Sequence, residues 1–280
     1  MWGELYLTSF QLNEKTISFL SKYQLFKGDL IQQVQLQHRL ELVEAFGIQQ
    51  GMRVVEIGCG QGDTTVAIAD AVGENGCVVA IDIASPDYGA PLTLGQATER
   101  IKKSSLGERI DFHFEKDFNL FKTTIPFDVA VLSHCSWYFK QPEDLLNYFK
   151  KIRRLAKHIC FAEWDLDITC ITQRSHFCAV SILALYSNFV KNEGNIQNLF
   201  HKTQIHQLLQ QANFEVIKQL KVDATLLQDG QWEKSYANSI RAEFINVPSM
   251  IQTLITSYYE LMNTSNGNEN SLNSFIVCAK

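Results

Sequence analysis

The run Glu56-Ile57-Gly58-Cys59-Gly60-Gln61-Gly62 constrains this chain more than any other. It follows the short β-branched segment Val54-Val55 and precedes a helical pattern from Asp63 to Val72. Glycines in such a turn let the backbone bend sharply and let a ligand approach without meeting a Cβ. The helix that opens behind them presents free N–H groups. A dinucleotide-binding turn would read G-x-G-x-x-G, with pyrophosphate resting on the helix N-terminus. Here the third-glycine position is Asp63, whose carboxylate repels pyrophosphate, and an acid stands two residues before the first glycine. That arrangement suits a zwitterionic amino-acid ligand, with Glu56 paired to its ammonium group directly or through water. Asp82 ends the next apolar run, Cys77 to Ile81, where a carboxylate accepts both hydroxyls of a ribose. A plain strand–helix turn capped by Asp63 is the bland alternative.

The rest of the chain supplies the frame. Residues 9–26 and 29–46 have helical spacing, the second through Leu30, Val34, Leu36, Leu40, Val43 and Phe46. Thr93 caps a helix expected to reach Ser105. Ile110 to Phe114, Phe127 to Leu132 and Ile159 to Ala162 read as strands, and Glu143 to Ala156 as a helix. Strands alternating with helices define βαβ units in a mostly parallel sheet covered on both faces. Beyond Trp164, helices are expected over about 175–192 and 203–212, and strands over 213–220 and 272–279. Between those strands lies a long segment, 221–271, with helices near 231–245 and 249–263; long insertions often serve as lids. Asn263 to Asn270 reads as a mobile surface loop.

With 46% hydrophobic and 20% charged residues, the 280-residue chain is ordinary globular protein, not disordered. Its net charge of −5 does not favour a polyanionic partner. Seven cysteines without a C-x-x-C pair fit neither a disulfide framework nor a zinc knuckle. No secretory pattern opens the chain and no apolar stretch is long enough to span a bilayer, so the expected location is the cytoplasm.

Together these motifs resemble the class I S-adenosylmethionine-dependent methyltransferases, best over about residues 50–165. Val54 to Gly62 looks like the family's first motif, and Ala80-Ile81-Asp82-Ile83 like its second. Glu115-Lys116-Asp117-Phe118 looks like the third, where an acid meets the adenine amine and an apolar neighbour the ring. Phe127 to Ser133 resembles the fourth strand. The resemblance implies a doubly wound, seven-stranded, mostly parallel α/β sheet ending in a reversed hairpin. It also implies S-adenosylmethionine as cofactor, held by Glu56, Gly58, Cys59, Gly60, Gly62, Asp82, Ile83, Asp117, Phe118 and Ser133. Three regions are expected: a helical lid over 1–50, a cofactor-binding core over 51–220 and 272–280, and the insertion 221–271 over the acceptor site.

Acceptor chemistry is expected at the carboxyl ends of strands four and five, where open α/β sheets bind ligands. His134 is the candidate general base, since imidazole titrates near neutral pH; holding the cofactor or the loop is its alternative role. Glu163 is a second candidate base, with pairing to a nearby helix as its alternative. Trp137, Tyr138 and Trp164, with Phe139, are expected to wall an aromatic acceptor site unless they pack the core. His176 and Tyr186 reach toward the same space or serve structure. The loop from Ser85 to Pro91 either folds over the ribose or lies on the surface.

Missing motifs narrow the substrate. Ser133-His134-Cys135-Ser136 matches neither the Asn/Asp-Pro-Pro-Tyr of amino-methylating nucleic-acid enzymes nor the Pro-Cys of cytosine-C5 enzymes. Metal-dependent relatives need an acid where Ser133 stands, so no metal is implied. The basic run Lys150 to Lys157 reads as a solvated helix face. The expected activity is O- or N-methylation of a small, apolar or aromatic acceptor, with no nucleic-acid or membrane partner. A nicotinamide-dependent oxidoreductase and a non-methylating relative of the fold are the rival readings.

Overall fold

The structure, a computed structural model, describes residues 11–190, 194, 196–264 and 269–280. A seven-stranded sheet has the order β3-β2-β1-β4-β5-β7-β6. Its strands are β1 Arg53–Ile57, β2 Cys77–Ile81, β3 Ile110–His113, β4 Phe127–Ser133, β5 Ala156–Trp164, β6 Val216–Val222 and β7 Ser274–Ala279. The helices are α1 Glu14–Tyr23, α2 Leu30–Phe46, α3 Asp63–Val72, α4 Leu94–Lys102, α5 Pro142–Leu155, α6 Arg174–Phe189, α7 Lys202–Gln211, α8 Asp229–Ser239 and α9 Ser249–Asn263. The chain divides into two compact units: residues 1–133 with 152–161 and 280, and residues 134–151 with 162–279.

In the first unit β1 pairs in parallel with both β2 and β4, and β2 with β3. Val54, Val55, Val78, Ala80, Ala130, Val131 and Leu132 are buried, as near-continuous apolar strands require when both faces are covered. Local chemistry sets the helix starts. Asn13 accepts from Thr16 N–H, Asp29 from Gln32 N–H, and Thr93 with Gln96 forms a full capping box. Leu106 and Ile101 seal the end of α4, which stops at Lys102, short of Ser105, where the Ser104 hydroxyl takes the carbonyl of Ile101. Helix α1 spans Glu14–Tyr23, ended by Gln24 in the left-handed region; positions 9 and 10 lie outside the described residues.

In the second unit β6 and β7 run antiparallel, the reversed hairpin implied by the resemblance. Strand β6 begins at Val216, not 213, because Asn213 adopts φ 62 and turns the chain out of α7. Helices α8 and α9 of the 221–271 segment pack on α6, burying Ala237, Ile255, Tyr259 and Met262. The first of them is shorter than the pattern suggests; a separate tight turn, Arg241–Glu243, follows it. Part of the Asn-rich stretch, 265–268, lies outside the described residues, as do 191–193 at the expected end of α6.

Candidate functional site

In the first unit the glycine turn is built on hydrogen bonds from its own neighbours. Gly58 and Cys59 N–H both reach the carbonyl of Ile81, at 2.8 and 3.2 Å, tying the turn to the end of β2. Gly62 N–H closes the loop on the carbonyl of Cys59 at 2.9 Å. Gly58, Gly60 and Gly62 have φ of 77°, 52° and 91°, a region that L side chains seldom enter. A Cβ placed on Gly60 would meet nothing within 4 Å, so the loop leaves open space at this glycine. Gly62, not Asp63, is the N-cap of α3, and Asp63 is its first helical residue.

Asp82 is half-buried at the end of β2. One carboxylate oxygen accepts Gly60 N–H at 2.8 Å and the other accepts Ala84 N–H at 2.9 Å. A carboxylate offers about four lone-pair sites, so two remain for hydroxyl donors. Ile83 beside it is exposed. Just after the Ser85–Pro91 loop the chain is tied to the glycine turn: Gln61 Nε2 donates to the carbonyl of Leu92 at 2.7 Å. Asp117 accepts Asn119 N–H at 2.8 Å and so caps the tight turn Phe118–Leu120, whose Phe118 is buried. Cys59 and Ser133 are buried at the ends of their segments. Glu56 is buried on β1 and accepts the Thr65 hydroxyl at 2.5 Å. Burial pushes its carboxyl up to about 8, against the Thr65 hydrogen bond and the Arg39 guanidinium; Asp63 and Asp82 push it further up.

In the second unit, the residues after β4 and at the end of β5 form a polar and aromatic cluster. His134 has φ 50°, an uncommon conformation for a side-chain-bearing residue. Its N–H donates to the carbonyl of Ala162 at 2.9 Å, and its Nε2 lies 2.8 Å from Ser274 Oγ. The Trp164 ring stands edge-on to His134 at 4.7 Å and edge-on to His176 at 5.2 Å. His176 is buried, hydrogen-bonded through Nδ1 and in close contact with an acid at Nε2, though without an aligned hydrogen bond there. Leu272 N–H donates to Nδ1 at 2.8 Å, and Glu233 Oε2 is 2.5 Å from Nε2. Because Nδ1 accepts, the ring proton belongs on Nε2, the nitrogen on the Glu233 side.

Glu163 is buried, and one oxygen accepts both Ser136 N–H at 3.0 Å and Ser136 Oγ–H at 2.8 Å. The other accepts Trp164 N–H at 3.1 Å. Burial pushes this carboxyl up to about 7, opposed by the Ser136 and Trp164 hydrogen bonds and reinforced by Glu233. Glu163 therefore ties down the tight turn Ser136–Tyr138. In that turn Trp137 is buried and Tyr138 half-exposed. The Trp137 carbonyl accepts Gln197 N–H at 2.8 Å, while its buried indole N–H has no partner among the described residues. Phe139 packs edge-on against Tyr148, and the Tyr186 hydroxyl bonds Glu243. Sequence reasoning singled out His134, Trp137, Tyr138, Glu163, Trp164 and His176, all in this unit. It missed Ser136, Glu233 and Ser274, which carry no motif; only the fold brings them here.

A family model described as a methyltransferase domain matches residues 30–219, more than half of the chain, which therefore belongs to that family. Its sheet and glycine turn are those of a class I S-adenosylmethionine-dependent methyltransferase. The fold of a cyclopropane-fatty-acyl-phospholipid synthase-like protein from Lactobacillus casei is similar over 95% of this chain and 99% of that one, with 30% identity and a TM-score of 0.85. Magnesium protoporphyrin IX methyltransferase from Synechocystis, solved with bound S-adenosylhomocysteine, shares the fold at a TM-score of 0.50 and 13% identity, over 99% of this chain and 92% of that one. The methyltransferase phomM of Diaporthe leptostromiformis is 28% identical over 117 residues, 35% of this chain; the match spans 30% of that relative's length. Among the described residues no helix is long and apolar enough to cross a membrane.

Proposed function

We propose that this protein transfers a methyl group from S-adenosylmethionine to a small, apolar or aromatic organic acceptor. The observation that carries the reading is Asp82, which shapes the glycine loop through Gly60 N–H and keeps lone pairs for ribose hydroxyls. The open space at Gly60 and the buried carboxyl of Glu56 fit the same cofactor. In this reading Glu56, Gly58, Cys59, Gly60, Gly62 and Ser133 hold the amino-acid end, Asp82 and Ile83 the ribose, and Asp117 and Phe118 the adenine.

When bound, the cofactor supplies an electrophilic methyl on a sulfonium, open to in-line displacement. His134 accepts the proton of an O–H or N–H acceptor, its ring steadied by Ser274 Oγ and the Trp164 edge. Trp137, Tyr138 and Trp164 offer aromatic faces to the acceptor and to cationic charge. We assign His176 a supporting part, because its Nδ1 accepts Leu272 N–H and its Nε2 lies against Glu233 in a buried setting. We assign the described helices of the 1–50 segment, α1 and α2, as the lid expected there, and α8 and α9 of 221–271 as the insertion that limits acceptor choice.

A second reading draws on the Lactobacillus casei relative: the acceptor is a carbon of an unsaturated acyl chain, which needs no proton removed before attack. The test is release of S-adenosylhomocysteine with a panel of phenols, amines, carboxylic acids and an unsaturated phospholipid. Turnover with a small acceptor supports the first reading; turnover with the phospholipid alone replaces it with the second. Binding of NAD without binding of S-adenosylmethionine refutes both. Cofactor binding with no product from any acceptor points to a non-methylating member of the fold.

A further inference from the structure

Helix α9 is apolar around half of its circumference, and the fold covers only one edge of that half. At about 100° per residue its Met, Ile, Leu and Tyr side chains all fall within one arc of about 180°, and its Ser, Thr, Gln, Glu and Asn side chains fill the rest. Ile255, Tyr259 and Met262, at one edge of the arc, are buried where α9 packs on α6. Ile251 and Tyr258, in its middle, are half-buried. Met250, Leu254 and Leu261, at the other edge, are 81%, 42% and 44% exposed. These three stand at i, i+4 and i+11, a single stripe about 16 Å long. A lone exposed leucine on a surface is ordinary, whereas an aligned row of them on one helix marks a contact surface.

The chemistry of the stripe and its edges selects the occupant. Helix α9 contains no lysine or arginine, and its one charged residue, Glu260, lies on the polar half, 3.6 Å from Arg241. An anionic membrane is met by cations around such a stripe, and a charged protein partner by complementary charges; neither stands here. Beside the stripe are Thr253 and Ser257, small side chains that let a second helix come close. The stripe also reads alike from both ends. Laid antiparallel on itself, about a two-fold axis between Ile255 and Thr256, it brings Met250 level with Leu261 and Leu254 level with Ser257, each contact made twice. Glu260 comes level with Ile251, so no like charges meet.

We infer that the exposed edge of α9 is a two-fold interface with a second copy of this chain. Met250, Leu254 and Leu261 of each copy form its centre, and the uncharged hydroxyl residues beside them form its rim. One helix stripe from each copy covers less than the roughly 1,200–2,000 Å² of a standard stable interface, so the dimer is weak, with a Kd of about 10–100 µM. The inference goes beyond the proposed reaction and does not depend on the cofactor or the acceptor.

The test is sedimentation equilibrium of the full chain over about 1–500 µM, a range that brackets the expected Kd. Wild type is expected to pass from monomer toward dimer as concentration rises. Leu254→Glu sets two carboxylates near the axis and is expected to weaken dimerisation at least about tenfold, with its circular dichroism spectrum and urea unfolding midpoint showing that the fold is kept. A second variant places the contact independently of the first. Met250→Cys combined with Leu261→Cys is expected to oxidise to a dimer whose new disulfide, mapped by mass spectrometry, joins position 250 of one copy to position 261 of the other. Those positions are about 16 Å apart within one helix, too far to bridge in a single copy. Thr256→Cys, on the polar half, is expected to give no such link. A chain that stays monomeric throughout the range overturns the inference. So does a dimer that Leu254→Glu leaves intact and that forms no 250–261 link. Monomer that binds phosphatidylcholine vesicles through the same stripe, with no dimer at any concentration, replaces the second copy with a lipid surface.

Discussion

Glu163 makes a quantitative prediction about stability. Its carboxyl is 1% exposed and titrates at about 7, against an ordinary value of 4.5. The folded protein therefore holds this proton more tightly than the unfolded chain. The sign follows: the group favours the folded state most at low pH, and that advantage is lost as pH rises from 4.5 through 7. At 1.36 kcal/mol per pKa unit the loss amounts to about 3 kcal/mol. Glu163→Gln removes the titration but turns an amide N–H₂ toward Trp164 N–H, a mismatch of about 1–3 kcal/mol. The variant should be clearly less stable than wild type near pH 5 and close to it, or above it, near pH 8. Urea unfolding of both proteins at a series of pH values reads this out. Glu56, which titrates at about 8, contributes the same slope to both proteins and cancels in the difference. A stability difference that stays constant from pH 4.5 to 8 would refute the argument, since Glu163 would then ionise as in water and could not sit dry beneath Ser136.

Asp82→Ala should weaken S-adenosylhomocysteine by about 1–3 kcal/mol, measured by calorimetry; unchanged affinity would remove the ribose assignment. His134→Ala should lower turnover by roughly 10²–10⁴ with an O–H or N–H acceptor once one is found, and a small change would leave the residue a positioning role. Gly62→Ala should cost about 1–2 kcal/mol in unfolding experiments, because φ of 91° strains alanine even after the Ile101 side chain, 2.6 Å from the new Cβ, swings away.

Punctuation made part of the fold readable. Glycines at 58–62 and at 73 bracket α3, and its bounds Asp63–Val72 coincide with the sequence pattern. Thr93 and Gln96 announce α4 in the same way. Strand β5 was harder: it starts at Ala156 directly behind α5, and the exposed Lys157 and His158 disguise its first residues. Helix α2 misled in a different way. Its apolar positions imply an ordinary amphipathic helix, yet Leu30 is 40% exposed while Gln35 and His38 are buried. Periodicity records where apolar residues recur, not which polar ones tertiary packing takes inside. The site divides along the same line. Glu56 and Asp82 belong to contiguous motifs, whereas Glu163 meets Ser136 across 27 positions and His176 meets Glu233 through an inserted helix. Such pairs leave no mark on a single chain.

Asp82 spends one oxygen on the backbone of Gly60 and the other on that of Ala84. Loop architecture and sugar preference are thereby inherited through a single side chain. Redirecting the protein toward a ribose that bears a 2′-phosphate would mean removing this negative charge, and the same change would slacken the turn that receives the rest of the ligand. Altered nucleotide choice at this position is accordingly a two-locus problem, in which the backbone of 58–62 has to be re-anchored before a new residue at 82 confers any benefit.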